Sequence, residues 1–302
     1  MDDLENLYLS FHIPRTGGTF FNYAIGHWSK RKHHLTHYNY TENYSSYTLR
    51  ENELPWLRWR TNEQQRQLKV MSGHSIVANS INWTRIQFNP KYLTVVRDPV
   101  ERTLSSFNFR HKKATLTQDH SFFSSVMPQM NNYAIATEKS AEDYDTLYQY
   151  LKDNKNEHNL QIKWLAKSFF RYNMSTNQWE TYPGYVDNIE LATSDTKEFS
   201  LTLGEWMQYD ISVPDDVTDY ILSKMWHVID FNNLEKDTRD FCNFVGLEYQ
   251  ERAEKNSSSS ELVPHKWTLE EVKNQKDYHR LLTLLEQDIK LYETIKQRTR
   301  PY

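Results

Sequence analysis

The stretch Leu7-Tyr8-Leu9-Ser10-Phe11-His12-Ile13-Pro14-Arg15-Thr16-Gly17-Gly18-Thr19 constrains this 302-residue chain more than any other. An apolar run of strand type stops at a proline. A short turn follows, carrying one fixed positive charge, two glycines and two threonines. Phe20-Phe21-Asn22-Tyr23-Ala24-Ile25 then resumes with helical spacing. Strand, small-residue loop and helix start together build an anion site from main-chain N–H groups. Residue order narrows the kind of site. An ATP-hydrolysing P-loop reads G-x-x-x-x-G-K-[ST], with lysine after the glycines. Here Arg15 precedes Gly17-Gly18, and no Lys-Ser or Lys-Thr follows. An ordinary strand-to-helix turn, with glycines for positive φ, is the plain alternative at this point.

Composition bounds the partners. Net charge is −4, so no global basic field exists for nucleic acid, and an anionic ligand needs a local basic cluster. Hydrophobic content is 38%, but aromatics reach 14% and build a core from fewer residues. The 7 glycines and 9 prolines argue against long linkers, and we expect one domain over 1–302. The single cysteine, Cys242, excludes an internal disulfide framework and a cysteine-based zinc site. No run is long and apolar enough for a membrane span. The acidic Met1–Asn6 lacks a signal-peptide pattern, so a cytoplasmic location is expected.

Periodicity predicts strands over Leu7–Ile13, Leu68–His74, Lys91–Arg97, Tyr185–Ala192 and Met225–Phe231. Helices are expected over Thr19–Arg31, Leu57–Gln67, Asp98–His111, Tyr144–Lys152, Leu160–Phe170, Asp215–Ser223 and Leu234–Val245. A long charged helix is expected over Thr268–Arg298. Gly246 suits a left-handed helix C-terminus. Asp98-Pro99-Val100-Glu101 starts its helix clearly: an N-cap aspartate, a first-turn proline, and a glutamate where a capping box places one. Alternating strands and helices imply an α/β fold, a mostly parallel sheet covered on both faces, with ligands at the carboxyl ends of the strands. Arg15, His74 and Arg97 all fall at such ends.

Arg97-Asp98-Pro99-Val100-Glu101-Arg102-Thr103-Leu104-Ser105 sets a guanidinium at a strand end and a hydroxyl in the following helix. Most of this segment has routine capping and packing work, but Arg97 has no evident local duty. A guanidinium fork beside a hydroxyl suits a terminal phosphate.

The pair Ile13–Thr19 and Val96–Ser105 resembles the sulfotransferase family that uses 3′-phosphoadenosine-5′-phosphosulfate. The nearest likeness is the carbohydrate type, related to heparan sulfate 2-O-sulfotransferase and its bacterial relatives. The resemblance implies that Arg15, Thr16, Gly17, Gly18 and Thr19 bind the 5′-phosphosulfate. Arg97 and Ser105 correspond to the residues that bind the 3′-phosphate. Ser72-Gly73-His74 resembles the Gly-His that supplies the base in many members. Asn159-Leu160-Gln161-Ile162-Lys163-Trp164-Leu165 resembles a recurrent segment near the active site. One departure is Arg15, where the family more often carries lysine. Arginine keeps the charge but donates no proton at working pH.

The resemblance implies sulfonyl transfer to an acceptor hydroxyl, a glycan being one candidate class, with 3′,5′-adenosine bisphosphate as product and no metal. His74 takes the hydroxyl proton, and Arg15 with the loop N–H groups stabilises charge on the leaving phosphate. His158 is the reserve base. Arg102 is open between phosphate and a surface pair with Glu101 or Asp98. Gln161 is open between ligand and backbone, and Lys266 with Trp267 between nucleotide closure and a plain helix start. The irregular segments near 32–62 and 112–140 are expected on the acceptor side, where Trp56, Trp59 and Trp83 are candidate sugar platforms. A nucleotide-binding protein without transfer activity and a P-loop-type kinase are the alternatives.

Overall fold

The apolar run at the N-terminus forms the middle strand of a five-stranded parallel sheet in the computed structural model of the chain. The structure describes residues 4–26, 48–50, 57, 60–74, 76–116, 144–173, 176–181, 211–251 and 265–297, with backbone only at 48–50, 112–116 and 171. The strand expected over 185–192, Trp56, Trp59 and most of the two irregular segments lie outside these residues.

In chain order, β1 (Asn6–Phe11) leads through the loop to α1 (Gly18–Ala24). Next come β2 (Thr48–Arg50), α2 (Asn62–Arg66), β3 (Val70–Gly73) and β4 (Asn89–Val96). Then follow α3 (Pro99–Leu116), α4 (Leu147–Asp153) and α5 (Leu160–Phe169). A two-stranded antiparallel hairpin, β5 (Phe170–Asn173) and β6 (Gln178–Thr181), precedes α6 (Asp215–Lys224), β7 (Met225–Asp230) and α7 (Leu234–Val245). The described chain closes with α8 (Leu269–Lys273), α9 (Tyr278–Leu284) and α10 (Glu286–Lys296).

The main sheet has the order β2-β3-β1-β4-β7, and every pairing in it is parallel. Alternate residues of β1 therefore serve two cores. Leu7, Leu9 and Phe11 pack with α5, α6 and α10, while Tyr8 packs with Phe21 and Ile25 around α1 and with Leu234 and Phe241 of α7. Helices cover both faces, as the alternation of strands and helices predicted.

Several boundaries differ from the sequence expectation. The helix after the glycine loop ends at Ala24, because the chain enters the left-handed region at Gly26 (φ 88°). The helix expected over Leu57–Gln67 is the short α2, started by a reciprocal capping box between Thr61 and Gln64. The helix after Asp98 runs past His111 to Leu116. Asp98 caps it, its Oδ1 accepting from the N–H groups of Val100 and Glu101 at 3.0 Å. Glu101 turns its carboxylate to Arg97 instead of back to the cap.

The long helix expected over Thr268–Arg298 is three helices. Its apolar residues serve two separate cores: Val272, Leu281 and Leu285 pack with α3 and α4, whereas Leu291, Tyr292 and Ile295 pack under the sheet. One straight helix cannot face both. The first break is tied to α4, where the Leu147 N–H donates to Gln275 Oε1 at 2.9 Å. Strand β2 and the β5–β6 hairpin are too short to carry a period-2 signal and were not expected.

Candidate active site

Parallel pairing sends the chain out of β3, β1 and β4 at the same edge of the sheet. Phe11 is level with Gly73 on one side and Thr94 on the other. The next residues are His12 and His74, and Arg97 follows three residues after Thr94. Three segments far apart in sequence thus meet because of strand order.

Arg15 sits in the left-handed region with φ 69°, a conformation that costs a bulky residue about 1 kcal/mol or more. Gly17 follows at φ 99°, and a Cβ there would lie 2.6 Å from a methyl of Leu234 and 2.9 Å from the Phe231 ring. Thr16 is fully buried and its hydroxyl donates to the Ile13 carbonyl at 2.9 Å, closing the turn. Gly18 is buried, and Thr19 is exposed at the start of α1. Arg15 thereby projects toward α3. Its Nη2 donates to Ser105 Oγ at 3.1 Å, and its guanidinium rests 4.5 Å above the centre of the exposed Phe109 ring, one turn further along.

Arg97 leaves the end of β4 with its guanidinium 4.2 Å over the Phe231 ring, and its Nε donates to Glu101 at 3.3 Å. It therefore has a local partner, contrary to the sequence reading. That pair is partly exposed on both sides and spaced i,i+4, an arrangement of about 0.3–0.5 kcal/mol. Desolvation and then the positive charges of Arg97 and Arg102 lower the pKa of Arg15, while Glu157 acts in the opposite sense. The edge is electropositive and rich in N–H donors, which fits an anion carrying more than one negative charge.

His74 is exposed, and its Nδ1 lies 2.8 Å from the His12 carbonyl. A carbonyl only accepts, so Nδ1 carries the hydrogen, and in the neutral ring Nε2 holds the lone pair. The His12 and His74 rings stack at 3.9 Å, and Trp164 meets His74 edge-on at 5.8 Å. The His12 ring also covers the α-carbon of Gly18, where any Cβ would overlap its Cδ2 and Nε2. Sequence reasoning read His12 only as a strand residue. Its position immediately before Ile-Pro-Arg was the available signal.

Other candidates take structural places. Arg102 meets neither phosphate nor a surface acid: it is fully buried, and its Nη1 pairs with Glu157 at 2.6 Å. His158 is buried and its Nε2 bonds the Leu151 carbonyl at 2.8 Å, which removes it as the reserve base. Gln161 bonds the main chain of Arg97. Trp267 stacks on Phe107 at 4.4 Å, and Lys266 donates to the Tyr144 carbonyl at 2.8 Å, so this pair docks the C-terminal helices onto α3 and α4. Trp83 is buried in the core. Among the described residues no cluster of metal-ligating side chains occurs, and no helix is long and apolar enough to cross a membrane.

No family model matches the chain. It is similar to heparan sulfate 2-O-sulfotransferase 1 of Xenopus laevis, with 30% identity over 114 residues. The similarity covers 36% of this chain and 31% of that protein, so this chain spans about a third of its relative's length. It points to a sulfotransferase relationship over that stretch.

Proposed function

We propose that the chain moves a sulfonyl group from 3′-phosphoadenosine-5′-phosphosulfate to an acceptor hydroxyl. The observation that carries this reading is the meeting of the Arg15 loop, Arg97, Ser105 and His74 along one edge of β3, β1 and β4. The cationic donor set there fits a nucleotide phosphorylated at both ends. Arg15, Thr16, Gly17, Gly18 and Thr19 hold its 5′ end, and Arg97 with Ser105 holds its 3′-phosphate.

The donor nucleotide supplies a sulfonyl group on a phosphate that departs as a stable anion. The chain supplies the rest. His74 Nε2 takes the acceptor proton, an assistance of roughly 10²–10⁴-fold in rate. Its Nδ1–H, bonded to the His12 carbonyl, holds the ring in the tautomer that can do this. Arg15 and the N–H groups of Thr16–Thr19 face the charge that grows on the departing phosphate. One well-aimed donor of this kind is worth roughly 3–4 kcal/mol. Arginine at this position acts by charge and geometry and not by proton donation.

Two variants test the assignment. His74→Ala should cut turnover by roughly 10²–10⁴-fold and leave the affinity for adenosine 3′,5′-bisphosphate as it was. Unchanged turnover would remove His74 as the base. Arg97→Ala should weaken bisphosphate binding by about tenfold or more, the loss of a charge-assisted hydrogen bond. Retained affinity would show that the second motif holds something else. A labelled sulfonyl donor offered against glycan, phenol and lipid-alcohol acceptors identifies the acceptor class. A chain that binds the bisphosphate and sulfonates none of them is a nucleotide-binding protein.

A further inference from the structure

We infer that Gln161 is a positioning residue for Arg97, and that α10 reaches the phosphate end of the site through it. The inference rests on the assignment of Arg97 to the 3′-phosphate. Arg97 is the first residue beyond the paired part of the sheet, since β4 pairs with β7 up to Val96 and with β1 only up to Thr94. Its main chain is met there by one side chain. The Arg97 N–H donates to Gln161 Oε1 at 2.9 Å, and Gln161 Nε2 donates to the Arg97 carbonyl at 2.8 Å. Both main-chain hydrogen-bonding groups of one residue are answered by one amide, as a neighbouring strand would answer them.

Gln161 is completely buried and is itself held. Its N–H and that of Ile162 donate to the two carboxylate oxygens of Asp288, at 3.0 and 2.8 Å. In return Asn159 Oδ1 accepts from the N–H groups of Gln287 and Asp288, at 3.0 and 3.1 Å. The starts of α5 and α10 thus cap each other. A buried amide inside such a frame turns only by leaving polar groups unsatisfied, so its direction is fixed. The backbone it grips sets where the Arg97 side chain departs, over Phe231.

The experiment uses the full chain with Gln161→Met, which keeps the volume and removes both hydrogen bonds, and Gln161→Leu, which removes them with a different shape and serves if the first variant does not fold. Affinities for adenosine 3′,5′-bisphosphate and adenosine 5′-monophosphate are measured by calorimetry, with amide hydrogen exchange of residues 95–104. We expect Gln161→Met to lose about tenfold in bisphosphate affinity and less than about twofold for the monophosphate. Exchange at Arg97 should rise, Gln161→Leu should show the same selective loss, and Gln161→Met should cost nothing more when Arg97 is already alanine. Equal losses for both nucleotides, additivity with Arg97→Ala, or unchanged exchange at Arg97 each overturn the inference. A wild-type chain that binds both nucleotides equally sinks the 3′-phosphate reading instead, and exchange at Arg97 still decides whether Gln161 holds that residue.

Discussion

Replacing Glu157 by glutamine should remove a large part of the chain's stability. Glu157 is buried against α3, in the short turn between α4 and α5, and its carboxylate is fully engaged. Oε2 pairs with Arg102 Nη1 at 2.6 Å, and Oε1 accepts from Ser106 at 3.0 Å and Arg110 at 2.9 Å. The Glu157 carbonyl takes a further hydrogen bond from Arg102 at 3.2 Å. Glutamine keeps the shape and leaves Arg102, with 0% of its side chain exposed, as a buried charge that has lost its ion-pair partner. That loss is about 3–5 kcal/mol, and the third-exposed Arg110 adds less than about 1 kcal/mol. Against a typical total of about 5–15 kcal/mol this is severe. Glu157→Leu combined with Arg102→Met should recover much of it, because no fully buried charge is then stranded and Arg110 is a third exposed.

The pH dependence has a definite sign. Burial pushes the Glu157 pKa up, but the charges of Arg102 and Arg110 and the hydrogen bonds overcome it, and the folded value lies below normal. Its stabilisation is therefore complete above the ordinary glutamate value of about 4.3 and is lost as pH falls through the lowered folded value. Asp288 runs the other way. Burial raises its pKa, so its contribution improves as pH falls through that raised value. Urea unfolding of wild type and Glu157→Gln at pH 7 and across the acid range reads both effects. A cost under about 1 kcal/mol at pH 7, with the acid-side slope intact, would refute the argument that a dry ion pair holds α3.

Two further outcomes can be checked directly. Gly18→Ala drives a methyl into the His12 ring, which cannot yield without disturbing its stack on His74; misplacement of that order should cost about 10²-fold in turnover. Histidine NMR would report the displacement, and an unperturbed His74 signal with full activity would show that the stack is incidental. Cys242, buried with its thiol pushed up to about 12, should resist alkylation in the native chain and react only on unfolding, as timed by a chromogenic disulfide reagent; rapid native labelling contradicts that burial.

Local chemistry made much of the fold legible. The Asp98-Pro99 helix start and the left-handed Gly246 follow from interactions within a few residues, and the strands expected to end at Ile13, His74 and Arg97 end one or two residues earlier, where pairing with distant strands stops. The α/β alternation likewise predicted a parallel sheet, and the strand pattern placed Arg15, His74 and Arg97 just beyond strand ends, where the structure has them. The errors share a cause. Arg102 looked like a surface residue because its partner, Glu157, lies 55 positions away. His158 looked reactive until its ring nitrogen met a helix carbonyl, and the C-terminal helix broke because two cores claimed its apolar residues.

The sequence by itself determined the loop: strand, proline, arginine, two glycines and helix leave the backbone few other courses. It also determined that a basic residue would stand at the end of β4 and a hydroxyl in the helix that follows. Only the tertiary structure decided which side chains face one another. Strand order put β1 between β3 and β4, so His12 lies against His74 and Arg15 reaches Ser105 across 90 residues. It also turned Gln161 and Asp288 into a support for Arg97. Such pairings depend on packing two helix layers against one sheet, and no local propensity encodes them.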